Sequence, residues 1–197
     1  NMADASSFVT YSNEAALRDL LNDNDPSNDN DTSGFFPTNQ QYNTNWLDAI
    51  SRTARVSNYN LSLSGGSDNI QAFFSVGYNK EEGILKDNDF NRLTIRSNVD
   101  YKLSDKLSLS QNVSAQIANV TPKSFNAFTS AYKQSPIVPV REEDGRFGTS
   151  VAFNNVGNPV KDLFFQDENQ KFFKLQASLK MDYKIIDPLV FTSRFSI

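Results

Sequence analysis

The stretch "FNRLTIRSNVDYKLSDKLSLSQNVSAQI", Phe90 to Ile117, decides the fold. Its residues alternate in character along two runs joined by a few polar positions. Leu93, Ile95, Val99, Tyr101, Leu107, Leu109, Val113 and Ile117 fall on one side; Arg92, Thr94, Arg96, Asn98, Asp100, Lys102, Ser108, Ser110, Asn112, Ser114 and Gln116 fall on the other. A period of two is the signature of a strand with two unlike faces, so the stretch predicts an antiparallel pair turned through "LSDK". Each run is about 12 to 15 residues, longer than the strands usual in soluble proteins and sufficient for the roughly 9 to 11 residues that cross a bilayer at a tilt.

The same period extends outward. Tyr59, Leu61 and Leu63 alternate with Asn60, Ser62 and Ser64, and after "GGSDN" Ile70, Ala72, Phe74, Val76 and Tyr78 do likewise. Gly65 and Gly66 are expected to supply the positive φ of a tight turn there. "KFFKLQASLKMDYKII" alternates again, "DP" turns the chain, and Leu189, Phe191, Phe195 and Ile197 mark a final run. Short connections at 65–69, 104–105 and 187–188 take turns with longer ones at 81–89 and 119–170. Outer-membrane barrels sort their connections in this way, with short turns at one end and long external loops at the other. On that reading the apolar face meets lipid. Arg92, Arg96, Lys174, Lys180 and Arg194 then stand on the wall of a wet lumen. A soluble β-rich carbohydrate-binding module with one packed face alternates too, and is the alternative.

Composition closes other routes. With no His and no Cys among 197 residues, catalytic triads, zinc centres, disulfides and haem ligation by these residues are excluded, and neither enzymatic activity nor a cofactor is expected. A net charge of −4 opposes nucleic-acid binding, which needs clustered cations to displace counterions. No apolar run is long enough for a transmembrane helix. "DNDTSGFFPTNQ" places Asp29, Asp31 and Ser33 at the first, third and fifth positions of a calcium-type loop, but Gln40 stands where the bidentate carboxylate belongs. "REEDGRFG" reads as a β-turn centred on Asp144 and Gly145 rather than as a working carboxylate pair. Near the N-terminus, Ser12 and Asn13 are expected to cap a short helix through "EAALRDLLND", and "NTNWLDAISRTA" is expected to hold a second, with Trp46, Leu47 and Ile50 on one side.

The succession "NTNW", "RTA", "NYNLSLSGGS", "FFSVGY", "EEGIL", "DFNRLTIRSNVDYKL", followed by "SPIVPVREEDGRFG" and "GNPVKDL", closely resembles the SusC/RagA-like TonB-dependent outer-membrane transporters of Bacteroidetes, over roughly residues 42–197. The resemblance implies an all-β chain: part of a large antiparallel transmembrane β-barrel, 22-stranded in that family, with short helices near its N-terminus. It implies a plug-to-barrel connecting region at 1–57 and barrel strands over 58–197, including a long external loop at 119–170. It also implies a fragment that depends on other segments to fold, located in the bacterial outer membrane and working in nutrient uptake. Its partners would be a SusD-like lipoprotein, the TonB complex, and a glycan or peptide substrate. In the long loop, Phe125, Phe128, Tyr132, Phe147 and Phe153 are the candidate contacts for substrate or partner.

Overall fold

The computed structural model describes residues 4–22, 35–150 and 156–197. The chain divides into two compact units, one built from residues 53–122 and 168–197 and the other from residues 1–52 and 123–167.

The first unit is an antiparallel sheet whose strands follow one another in chain order: β1 (Val56–Ser67), β2 (Ile70–Glu82), β3 (Asp89–Lys102), β4 (Leu107–Thr121), β5 (Gln170–Ile186) and β6 (Leu189–Ser196). The fold is therefore of the antiparallel β class, as the alternation predicts. β1 to β5 run 12 to 17 residues. The register carries the period of two across the whole sheet. Leu61 pairs with Val76, Val76 with Ile95, Ile95 with Ala115 and Ala115 with Leu175, a single apolar row. One row further on, Ser62, Ser75, Arg96, Ser114 and Gln176 align on the opposite face.

The apolar face is open: Leu61 is 76% exposed, Phe173 69% and Phe195 68%. A polar row of Lys80, Asn91, Asn119 and Lys171 ends it, with Asn119 Nδ2 donating to Asn91 Oδ1 at 3.0 Å.

The hairpin turns are tight, but not for the expected reason. Neither Gly65 nor Gly66 takes a positive φ; β1 runs through both, and Asp68 and Asn69 make the turn. What Gly66 provides is clearance, since a Cβ there would come within 2.2 Å of the Ile70 carbonyl oxygen. At the second turn, Ser104 Oγ accepts from the backbone N–H groups of Lys106 and Leu107, at 3.2 and 3.1 Å.

The second unit contains α1 (Ala5–Asn22), α2 (Trp46–Ile50), α3 (Asn126–Lys133) and α4 (Pro159–Phe165). α1 begins well before the expected site because Asp4 caps it: Asp4 Oδ1 accepts from Ser7 N at 2.7 Å. Asn13 has a different task, bonding both the N–H and the carbonyl of Phe36. Trp46, Ile50, Ala127, Ala131, Val138, Pro159 and Leu163 form the buried centre of this unit. α4 starts as "NP" dictates, with Asn158 Oδ1 capping Val160 and Lys161 N–H and Pro159 in the first turn, where its missing N–H costs nothing.

Candidate functional site

Two regions carry the residues of interest, one in each unit. On the sheet, the register puts Arg92, Arg96, Lys174, Lys180 and Arg194 on one face, together with Asn58, Asn60, Thr94, Asn98, Asn112, Gln116 and Gln176. Lys180 is paired with Asp182 at 2.6 Å, and Asp182 also accepts from Thr192 Oγ1. Arg92 lies over the Phe90 ring at 5.8 Å. Carboxylates on this face, Glu81, Asp100 and Asp182, stay near the strand ends. The rows between them hold Arg92, Arg96 and Lys174 among amides and hydroxyls. A shallow recess of about 340 Å³ there is lined by Arg96, Asn98, Asn112, Ser114, Gln176 and Ser178. Such a wall donates hydrogen bonds freely and attracts negative charge.

The aromatic residues expected to act together separate into clusters. Phe125 and Phe128 stack on each other at 6.3 Å at the start of α3, which Phe125 immediately precedes and Phe128 lies within. Phe147 joins Phe164 at 5.7 Å and Phe165 at 6.1 Å, and the Arg141 guanidinium lies 4.0 Å over the Phe147 ring. Tyr132 stands apart, 68% exposed, on the rim of a cleft. Phe153 lies outside the described residues, as do Asp29, Asp31 and Ser33 of the calcium-type loop. Arg141, Phe164 and Phe165 were missed. The adjacent "FF" in an otherwise polar helix end was the one signal that pointed to an exposed aromatic pair.

The unit is stapled by two distant motifs. Trp46 Nε1 donates to Ser135 O at 2.8 Å, Thr44 N to Pro136 O at 2.8 Å and Thr44 Oγ1 to Val138 O at 2.7 Å. "NTNW" and "SPIV" are thus complementary halves of one lock. In "REEDGRFG", Gly145 N donates to Glu142 O at 2.9 Å, so Glu143 and Asp144 are the central turn residues and Gly145 follows them at φ 84°. Asp144 sits below the usual carboxylate range because the Arg146 backbone N–H and then its side chain bond it. Asp4 is lowered likewise by the Ser7 backbone N–H and hydroxyl. Among the described residues no cluster of three or more acidic side chains is arranged to hold a metal.

No family model matches the chain. It is 26% identical over 193 residues to TonB-dependent receptor P26 of Formosa agariphila, covering 95% of itself and 18% of that protein. With TonB-dependent receptor P3 of the same organism it shares 28% identity over 163 residues, 78% of the chain and 16% of the relative. A 57-residue stretch is 39% identical to TonB-dependent receptor SusC of Bacteroides thetaiotaomicron, covering 29% of the chain and 6% of SusC. The curated relatives are TonB-dependent receptors. The chain spans under a fifth of the length of each of them. Among solved structures, the RagAB peptide importer in its closed-closed state superposes over the whole chain with a TM-score of 0.68 at 18% identity, using 25% of the importer chain. Its open-open state gives 0.69 at 17% identity and the same coverage. At that identity the likeness is one of fold, and it agrees with the long antiparallel strands described above. The relatives are receptors and transporters rather than enzymes.

Proposed function

We propose that the receptor-like chain is part of a TonB-dependent outer-membrane importer that takes up a nutrient, glycan or peptide, without covalent chemistry. The observation that carries this reading is the two-faced sheet, whose apolar side is open across all six strands. Tyr59 and Tyr78 flank that side near one end and Tyr101 and Tyr183 near the other, with rows between them that are mostly apolar, interrupted by Ser97 and Gln111. Phe173 and Tyr183, ten positions apart on β5, are about 33 Å apart along the strand, close to the apolar height of an outer-membrane barrel once tilted. A soluble module would have to bury that surface against something else. Among the described residues no helix is long and apolar enough to cross a membrane.

In this reading residues 58–197 furnish barrel strands and residues 1–57 lead into them. Arg92, Arg96, Lys174, Lys180 and Arg194 face the lumen, where they pair with carboxylates packed inside or draw solute through. Phe125, Phe128 and Phe147 meet a SusD-like surface lipoprotein, and the TonB complex supplies the energy. The test is fractionation of the native cells with gene deletion. The full-length protein is expected in the outer membrane, released only by detergent, and its loss is expected to abolish uptake of one nutrient class. A soluble product, or unchanged uptake across all nutrients, overturns the reading.

A further inference from the structure

The apolar face of the sheet changes character abruptly at one end. Lys80, Asn91, Asn119 and Lys171 lie side by side across β2 to β5, one row beyond Tyr78, Leu93, Ile117 and Phe173, all four of which are exposed. From Lys80 to Lys171 is three strand spacings, about 14 Å. Asn119 gives an amide N–H to Asn91 Oδ1 at 3.0 Å, so the amide nitrogen of Asn91 keeps its donors and Asn119 Oδ1 its acceptor capacity. Lys171 has no carboxylate partner among the described residues. Two carboxylates of this face, Glu82 and Asp89, stand opposite each other one row further out. Glu82 holds Lys80 at 3.4 Å without covering it, since the Lys80 side chain stays 49% exposed.

The longer connections, residues 83–88 and 122–169, leave the sheet at this end. In a barrel that is the external end, so the row lies level with the headgroups of the outer leaflet and the apolar row beneath it lies level with acyl chains. Lysines at a membrane surface attract anionic headgroups, and amides beside them donate to phosphate oxygens and bond sugar hydroxyls. A phospholipid brings one phosphate above two acyl chains. The row instead sets a cation at each side with amides between them, and the apolar residues below are spread over the same four strands. That breadth suits a phosphorylated disaccharide that carries several acyl chains. We propose that the row from Lys80 to Lys171 seats the headgroup of lipid A, the acylated and phosphorylated disaccharide of the outer leaflet, whose chains lie on Tyr78, Leu93, Ile117 and Phe173. The proposal rests on the outer-membrane reading above and adds a lipid partner to it.

The test uses the full-length receptor, extracted in mild detergent and stripped of lipid, with native mass spectrometry to count bound lipid. The probes are lipid A, dephosphorylated lipid A, phosphatidylglycerol and phosphatidylethanolamine. Lipid A is expected to bind at least tenfold more tightly than each of the other three. Lys80→Gln combined with Lys171→Gln is expected to weaken it tenfold or more, whereas Lys106→Gln, at the turn between β3 and β4 at the opposite end of the sheet, is expected to leave it unchanged. The comparison with dephosphorylated lipid A needs no variant, and so decides the matter even where the double variant fails to assemble. Equal binding of phosphatidylglycerol and lipid A, indifference to the phosphate, or affinity unchanged in the double variant overturns the proposal. The two readings fail separately. If deletion abolishes uptake but the receptor holds no lipid A, the importer stands and the lipid site falls. If lipid A is held through the two lysines and deletion leaves all uptake intact, the lipid site stands and the importer falls.

Discussion

Trp46 is fully buried, and the one polar atom of its side chain reaches the Ser135 carbonyl. Trp46→Phe keeps an aromatic ring in place but deprives that buried carbonyl of its donor, at a cost of about 1–3 kcal/mol. The expected result in the full-length protein is faster tryptic cleavage after Lys133 and Arg141, with the sheet left intact. Asp4 gives a prediction in pH. Its folded carboxyl titrates below the usual range, so the cap is at full strength above the unfolded value of about 4 and weakens as pH falls through the lower, folded one. Amide exchange over residues 5–9, corrected for intrinsic rates, is expected to quicken at acid pH and to lose that dependence in Asp4→Asn. At this scale the sequence was legible where a residue acts on near neighbours, as in the Asn158–Pro159 helix start. It was opaque where the partner is remote: nothing about Ser135 or Asn13 announces Trp46 or Phe36.

The strands were the most legible elements, because a two-residue period survives any uncertainty about their ends. That period makes a sharp comparison possible between adjacent residues of β3. Ile95→Arg puts a charge on the apolar face and is expected to cost roughly 2–4 kcal/mol if that face lies at mid-bilayer. Thr94→Arg, on the other face, is expected to be tolerated. Heat-modifiable migration of the assembled barrel reads both, and equal effects of the two would remove the lipid-facing assignment. Gly66→Ala is expected to reduce assembly, since the added methyl cannot coexist with the Ile70 carbonyl at 2.2 Å. The need for glycine was readable there, but the reason was not, because close approach across a hairpin depends on register. The helices were read less well. α1 was placed too late because "SSFVTY" carries β-branched and aromatic residues that weigh against a helix, whereas the Asp4 cap and burial of Ala5 and Val9 override that propensity.

For the whole molecule, the outer edges of β1 and β6 matter most, since backbone groups there have no strand beyond them among the described residues. Open edges do not face lipid, so in a membrane these edges pair with further strands. The 197 residues expressed alone are expected to give no heat-modifiable monomer in detergent, and restoring the remainder of the full-length protein is expected to produce one. Residues 119–170 read as a long connection because no periodicity runs through them. The described residues around α3 and α4 are held by polar bonds, such as Asn158 Nδ2 to the Val140 and Gly148 carbonyls, and these leave no period to read.

The lock between "NTNW" and "SPIV" also sets an order of events. Trp46 and Ser135 are separated by 89 residues, and closing so long a loop in a flexible chain costs about 4 kcal/mol of entropy before any contact repays it. Each hairpin from β1 to β4 closes over only a few residues, and every one that forms shortens the free chain between the two motifs. The lock is therefore expected to close late, after the strands it brackets in sequence are paired, which pulsed amide exchange during refolding of the full-length protein would show as later protection at Trp46 than in β1 to β4.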